Sequence, residues 1–105
     1  DSAEESLLAA DRLLEETRQK LIQRAEGDDS QALSLATNRL EILANELRQQ
    51  AEGVPRALAQ INASFVHLNG AKSSIEDSNY ESAKTSLDLA LKKLEGAKRI
   101  IENRV

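Results

Sequence analysis

The chain lacks cysteine, methionine and tryptophan altogether, and Phe65 and Tyr80 are its only aromatic residues. Without cysteine there is no disulfide framework, no thiolate metal site and no cysteine nucleophile. The shortage of stacking aromatics and the net charge of −4 argue against nucleic acid as the main partner. No uncharged apolar run reaches the roughly 18 residues that a membrane-spanning helix needs. These absences remove several broad classes of function.

A leader segment and an initiator methionine are also missing from the printed sequence. We therefore expect a processed protein or a piece of a longer chain. Its 105 residues fit a single domain over 1–105, which is long enough to bury roughly two-thirds of its unfolded surface. The absence of cysteine leans slightly towards a location outside the cytoplasm and identifies no compartment.

Leucine and alanine dominate what is present. They contribute 16 and 15 residues, whereas Val, Ile and Thr together number 12, a composition typical of helices and poor for strands. Apolar residues recur at alternating spacings of three and four in four segments, so each segment should bury one seam. The seams are Ala3, Leu7, Ala10, Leu14, Thr17 and Leu21; Leu33, Ala36, Leu40, Leu43 and Leu47; Leu58, Ile61, Phe65, Leu68, Lys72 and Ile75; and Tyr80, Ala83, Leu87, Ala90, Leu94, Ala97 and Ile101.

Turn and capping residues separate the four segments. Capping boxes are predicted for Ser2 with Glu5 and for Ser78 with Glu81, and breaks are predicted at Gly27-Asp28-Asp29 and Gly53-Val54-Pro55. The predicted helices cover about 2–26, 29–52, 55–77 and 79–104. Loops this short make neighbouring helices antiparallel, so the predicted fold is all-α, an up-down-up-down four-helix bundle with both chain ends at one end.

Two alternatives remain open at this level. The third helix could end at Leu68, because Gly70 disfavours helix by about 1 kcal/mol relative to alanine. The first two helices could instead fuse through residues 27–29, which would give three long helices.

Basic residues are enriched near the end of the chain. The predicted last helix carries Lys84, Lys92, Lys93, Lys98, Arg99 and Arg104. They could form a patch for an acidic partner or an anionic lipid. We favour a solvated face with local ion pairs, because Asp88 with Lys92 and Glu95 with Arg99 have the i,i+4 spacing of helical pairs.

Catalytic and metal-binding patterns are missing. His67 is the only histidine, so the ligand sets of helical haem or di-iron bundles cannot form. The seams carry no inward carboxylate, and no nucleophile elbow, phosphate loop or dinucleotide fingerprint is present. We interpret His67 as a half-buried structural residue and expect neither an enzyme nor a cofactor.

The first feature that points to a function is a gap in charge. No Asp, Glu, Lys or Arg occurs between Arg56 and Lys72, although 30% of the chain is charged. Beside the core seam of this helix lies a second stripe of mostly small residues, Ala59, Ala63, Val66 and Gly70. The helix is either enclosed by its neighbours or presents this stripe as an interaction surface.

A second feature lies on the preceding helix. Leu35 and Ile42 are one heptad apart and well off the predicted seam, and Leu89 stands similarly on the last helix. Single exposed leucines are common, but two apolar residues in register suggest a contact site.

The sequence therefore predicts a non-catalytic module for protein–protein interaction or self-association, a homodimer included. Its predicted surfaces are helix three and the outer face of helix two. The alternative is an extracytoplasmic sensor or a domain that binds a small apolar ligand, since both ends of the chain would emerge together, as an insertion between two membrane helices requires.

Overall fold

The computed structural model describes residues 2–22 and 30–104. These residues form α1 (Ser2–Glu16), α2 (Ser30–Gln50), α3 (Pro55–Glu76) and α4 (Tyr80–Arg104), and α1 continues as a π-helical turn over Thr17–Ile22. The predicted break at Gly27-Asp28-Asp29 and the side chain of the predicted Ser2 cap lie outside the described part. None of the helices in these two ranges has an apolar stretch long enough to span a bilayer.

Contacts between the helices show how they run. The pairs that face each other are Glu41 with Lys72 and Arg48 with Phe65 between α2 and α3, Ser74 with Ser82 and Gly70 with Ser86 between α3 and α4, and Asp11 with Lys98 and Leu7 with Glu102 between α1 and α4. In each pair of helices, residue numbers rise along one helix and fall along the other, so all three pairs are antiparallel. The all-α, up-down four-helix bundle is thus confirmed. Because α1 and α2 run in opposite directions, the three-helix alternative is wrong.

The core follows the predicted seams closely in α2 and α4. All five seam residues of α2 are buried, and in α4 every seam residue is buried except Tyr80, which is half-buried. Leucine and alanine recur on this face of each helix, whereas most of the remaining positions are polar or charged, so the seam is the face that packing covers.

The seam of α3 differs from the prediction. Ala57, Ser64 and Ala71 are buried alongside Ile61 and Leu68, whereas the predicted seam residues Leu58, Phe65 and Ile75 are half-buried and Lys72 is exposed. The predicted seam therefore lies on the α2 side of the line of residues that α3 buries. Small side chains at the centre let α3 approach α4 closely, and these two helices share the most extensive interface in the described part of the bundle.

Helix α3 continues through Gly70 to Glu76, so the predicted alternative of an end at Leu68 is wrong. A Cβ atom placed on Gly70 would lie 3.6 Å from Ser86 Oγ of α4. The low helix propensity of a single glycine, about 1 kcal/mol, is therefore not enough to end a helix that lies this close to α4.

Each of the two described turns contains one residue in the left-handed backbone region. Gly53 has a φ of 80° and precedes Pro55, the first residue of α3. At the second turn Ser78 has a φ of 59°, and the Ser82 N–H donates to Asn79 Oδ1 at 3.3 Å. Asn79 is thus the N-terminal cap of α4, and the predicted capping box of Ser78 with Glu81 is wrong because the chain has not yet entered the helix at Ser78.

The end of α1 also departs from a regular helix. The sequence predicts an α-helix to residue 26, but the α-helical pattern ends at Glu16 and a π-helical turn follows. Thr17 and Ile22 are both buried although they are five residues apart. A π turn holds one residue more than an α turn, so residues at this spacing lie on the same side of the helix. The predicted seam residue Leu21 has no described side chain, and residues 23–26 lie outside the described part.

Candidate interaction surface

The outer side of α2 is an exposed strip without charge. Leu35 and Ile42, which the sequence predicts as contact residues, are 43% and 59% exposed. Four further exposed residues continue the same line along the helix at spacings of three and four. We call these six residues the α2 face: Gln31, Leu35, Asn38, Ile42, Asn45 and Gln49.

Charged residues flank the α2 face on both sides. On the side of α3, Glu41 forms an ion pair with Lys72, and the Arg48 guanidinium lies 4.7 Å from the centre of the Phe65 ring. On the opposite side, Arg39 is half-buried and Glu46 is exposed. The α2 face is therefore a neutral strip between two mixed-charge borders.

The predicted stripe on α3 also faces outward. Ala59, Val66 and Gly70 are exposed, Ala63 is half-buried, and Val66 is 69% exposed. We call these four residues the α3 face. The interpretation that this helix is enclosed by its neighbours is wrong for Ala59, Val66 and Gly70, because all three are exposed.

Lys98 does not belong to an open basic patch. It is 6% exposed and pairs with Asp11 Oδ1 of α1 at 2.7 Å and with Glu102 one turn further along α4. Burial on its own lowers the pKa of Lys98, but the hydrogen bonds and charges of these two carboxylates outweigh burial and raise the pKa above its ordinary value. This lysine therefore joins α1 to α4 and is unavailable to a partner.

Glu95 also bonds differently from the predicted pattern. It pairs with Arg18 of the π turn, which also contacts Glu15 at 3.2 Å, instead of with Arg99. The predicted pair of Asp88 with Lys92 is likewise absent from the ion pairs between described residues. Glu95 thus pairs with the end of α1, where sequence spacing predicted a bond to Arg99 within α4.

Three buried hydroxyl groups in the described core bond to their own helix. Thr17, Thr37 and Ser64 are buried, and their hydroxyls donate to the carbonyl oxygens of Leu13, Leu33 and Ile61 at 2.7, 2.8 and 2.6 Å. His67 is half-buried. Within 2–22 and 30–104, no group of three or more histidine or carboxylate side chains could hold a metal ion.

The predicted contact residues thus lie on two neighbouring helices, α2 and α3, and Leu89 lies apart from them on α4 at 39% exposure. The sequence reasoning missed the amide side chains of the α2 face, although their heptad spacing with Leu35 and Ile42 was a usable signal. Comparison of the chain with protein-family models, with curated proteins and with solved structures found no match. The functional argument therefore depends on these surfaces alone.

Proposed function

We propose that this chain is a non-catalytic helical-bundle module that binds protein through the α2 face and the α3 face. One observation carries the proposal. Two adjacent helices each present an exposed, uncharged face with apolar side chains, in a chain of which 30% is charged. A face that only meets water would carry its share of those charges.

The chemistry of the two faces suggests what a partner offers. The small side chains of the α3 face allow another helix to approach closely. The α2 face combines two aliphatic side chains with four amides, which can both donate and accept hydrogen bonds. Both faces suit an amphipathic helix more than an extended peptide or a small polar ligand.

Site-specific photo-crosslinking tests the proposal. A photoreactive residue replaces Ile42 in one variant and Val66 in another, and Thr85 serves as the control position because it is exposed on α4 away from both faces. We expect discrete protein adducts from positions 42 and 66 in an extract of the source cells, and only diffuse labelling from position 85. Equal labelling at all three positions would contradict the proposal.

A charge placed in the α3 face provides a second test. Ala63→Glu adds one carboxylate at a half-buried position, and Thr85→Glu adds the same charge elsewhere. We expect the first variant to lose adducts from position 66 while circular dichroism shows unchanged helix content. Persistence of those adducts would exclude the α3 face as the contact.

A second candidate is a sensor or carrier domain outside the cytoplasm. The observation that favours it is that the start of α1 and the end of α4 lie together, since Leu7 and Glu102 line one groove. Native mass spectrometry of the chain from its own source distinguishes the candidates. A small apolar adduct on a monomer would favour the carrier, whereas an adduct of protein mass would favour the interaction module.

A further inference from the structure

We propose that the α2 face docks antiparallel, over Asn38 to Gln49, on the same stretch of a second copy of this chain, in one register that four charged residues select. The inference rests on the proposed function and names the partner of this face. It concerns α2 alone and leaves the partner of the α3 face open.

The spacing of the α2 face is that of a coiled-coil seam. Its residues follow one another at intervals of four, three, four, three and four, which are the intervals of the a and d positions of a heptad repeat. Leu35 and Ile42 occupy one heptad position, and Asn38 and Asn45 occupy the other. In an antiparallel pair, residues at one of these positions face residues at the other, so each aliphatic side chain meets an amide and the seam itself does not fix the register.

The charged borders decide how two such seams can pair. In an antiparallel pair related by two-fold symmetry, each border meets the same border of the other copy. When Ile42 lies opposite Asn45 of the second copy, Arg39 lies opposite Glu46. On the other border, Glu41 then lies opposite Arg48. Symmetry repeats each pair, so all four facing charge pairs are attractive.

Other arrangements bring like charges together. If the second copy slides by one heptad so that the overlap moves towards the start of α2, Arg39 faces Arg39 and Glu41 faces Glu41. A shift the other way sets Glu46 against Glu46 and Arg48 against Arg48. In a parallel pair, Glu41 meets Glu46 on both sides. Attraction on both borders therefore selects one orientation and one register.

The Arg39–Glu46 border is the more informative one to test. Glu41 and Arg48 already contact Lys72 and Phe65 of the same chain. Arg39 and Glu46 have no ion pair or hydrogen bond from their side chains within the part of the chain that the structure describes. A single seam of mixed polarity buries little apolar area, so we expect a weak dimer with a Kd on the order of 0.1 mM.

Charge reversal with rescue tests the proposal by sedimentation equilibrium over a concentration series. Arg39→Glu and Glu46→Lys each make both symmetric contacts repulsive, and we expect each variant alone to dimerise on the order of tenfold more weakly than wild type. An equimolar mixture of the two variants has attractive contacts on both sides, so we expect it to dimerise as well as wild type does. The double variant Arg39→Glu with Glu46→Lys should also dimerise.

Asp88→Lys is the matched control for Glu46→Lys, and Lys92→Glu is the matched control for Arg39→Glu, because each makes the same change in net charge at an exposed α4 position. Circular dichroism checks that every variant is folded, and Ile42→Glu provides an independent way to disrupt the seam. Weaker dimerisation of each single variant, together with wild-type dimerisation of their mixture, would establish the antiparallel register. A monomeric wild type at about 1 mM, or a dimer that the reversals do not weaken, would overturn the proposal. If crosslinks from position 42 then join the chain to a different protein, the proposed function stands without the second copy.

Discussion

Helices α3 and α1 both pack against α4, but by different means. The α3–α4 interface is the most extensive one described, and both helices bury small residues, such as Ser64 and Ala71 on α3 and Ala83 and Ala90 on α4. The α1–α4 interface is much smaller. It combines a few apolar contacts with two links between charged groups, those of Lys98 with Asp11 and of Arg18 with Glu95.

The difference teaches which conditions each interface responds to. Close packing of apolar groups depends little on salt or pH, whereas ion pairs at a partly exposed interface weaken as salt screens them or as a partner loses its charge. We therefore expect α1 to be the part of the bundle that solution conditions loosen first, with α2, α3 and α4 retaining their packing.

Truncation of a core leucine of α4 should have the largest effect. Leu87 is fully buried, whereas Leu89 on the same helix is 39% exposed. We expect Leu87→Ala to lower the free energy of unfolding by about 3 kcal/mol, because it leaves a cavity in the apolar core. Leu89→Ala, the control, should lower it by less than about 1 kcal/mol. Urea unfolding measures both, and equal losses would contradict the assigned core.

Removal of the buried lysine should have an intermediate and local effect. We expect Lys98→Ala to destabilise the protein by about 1–2 kcal/mol, below the usual value for a fully buried pair because Asp11 and Glu102 are partly exposed. Hydrogen exchange should accelerate in α1 and remain slow in α3. Lys92→Ala removes an exposed lysine of the same helix as the control. Equal acceleration in α1 and α3 would show that the two interfaces do not open separately.

Two glycine substitutions should have small effects of opposite sign. Gly70→Ala should stabilise the protein by about 0.5–1 kcal/mol, because its new methyl group would make an ordinary contact with Ser86 Oγ at 3.6 Å. Gly53→Ala should destabilise by about 1 kcal/mol, because φ there is 80°. Thermal unfolding compares the two. A loss of stability in Gly70→Ala would mean that the α3–α4 interface is tighter than described.

The pH dependence of α1 packing gives the smallest effect. The pKa of Lys98 is raised in the folded protein, so its stabilising contribution is fully present below the unfolded value of about 10.4. That contribution is lost as the pH rises through the raised pKa. The difference in melting temperature between wild type and Lys98→Met should therefore narrow in strongly alkaline buffer. A difference that stays constant over the whole alkaline range in which the protein remains folded would contradict the role of this charge.

Local spacing was enough to predict the buried seams of α2 and α4, because leucine and alanine recur there at regular intervals of three and four. It failed for α3, where the line through Phe65 and the line through Ser64 are both uncharged between Arg56 and Lys72, so the position of α4 distinguishes them there. The burial of Lys98 could not be predicted, since it depends on Asp11, which is 87 residues away in sequence. The π turn has no local pattern that distinguishes it from an α-helix.

The candidate surfaces were predicted in part. Leu35 and Ile42 stood out because they lie off the seam, and the charge gap drew attention to Ala59 through Gly70. The amides of the α2 face were overlooked because Asn and Gln are ordinary on a helix surface. Their significance emerges only when exposure shows that no charge interrupts the line from Gln31 to Gln49.

The π turn at Thr17–Ile22 also makes α1 tolerant of a change in length. In a regular α-helix, deletion of one residue rotates everything beyond it by about 100°. In the π turn, the same deletion would convert the wide turn into an α turn and keep the position of Ile22 on the same side as Thr17. Exposed Gln19 is therefore a residue that this helix could lose without moving its apolar side chains out of the core.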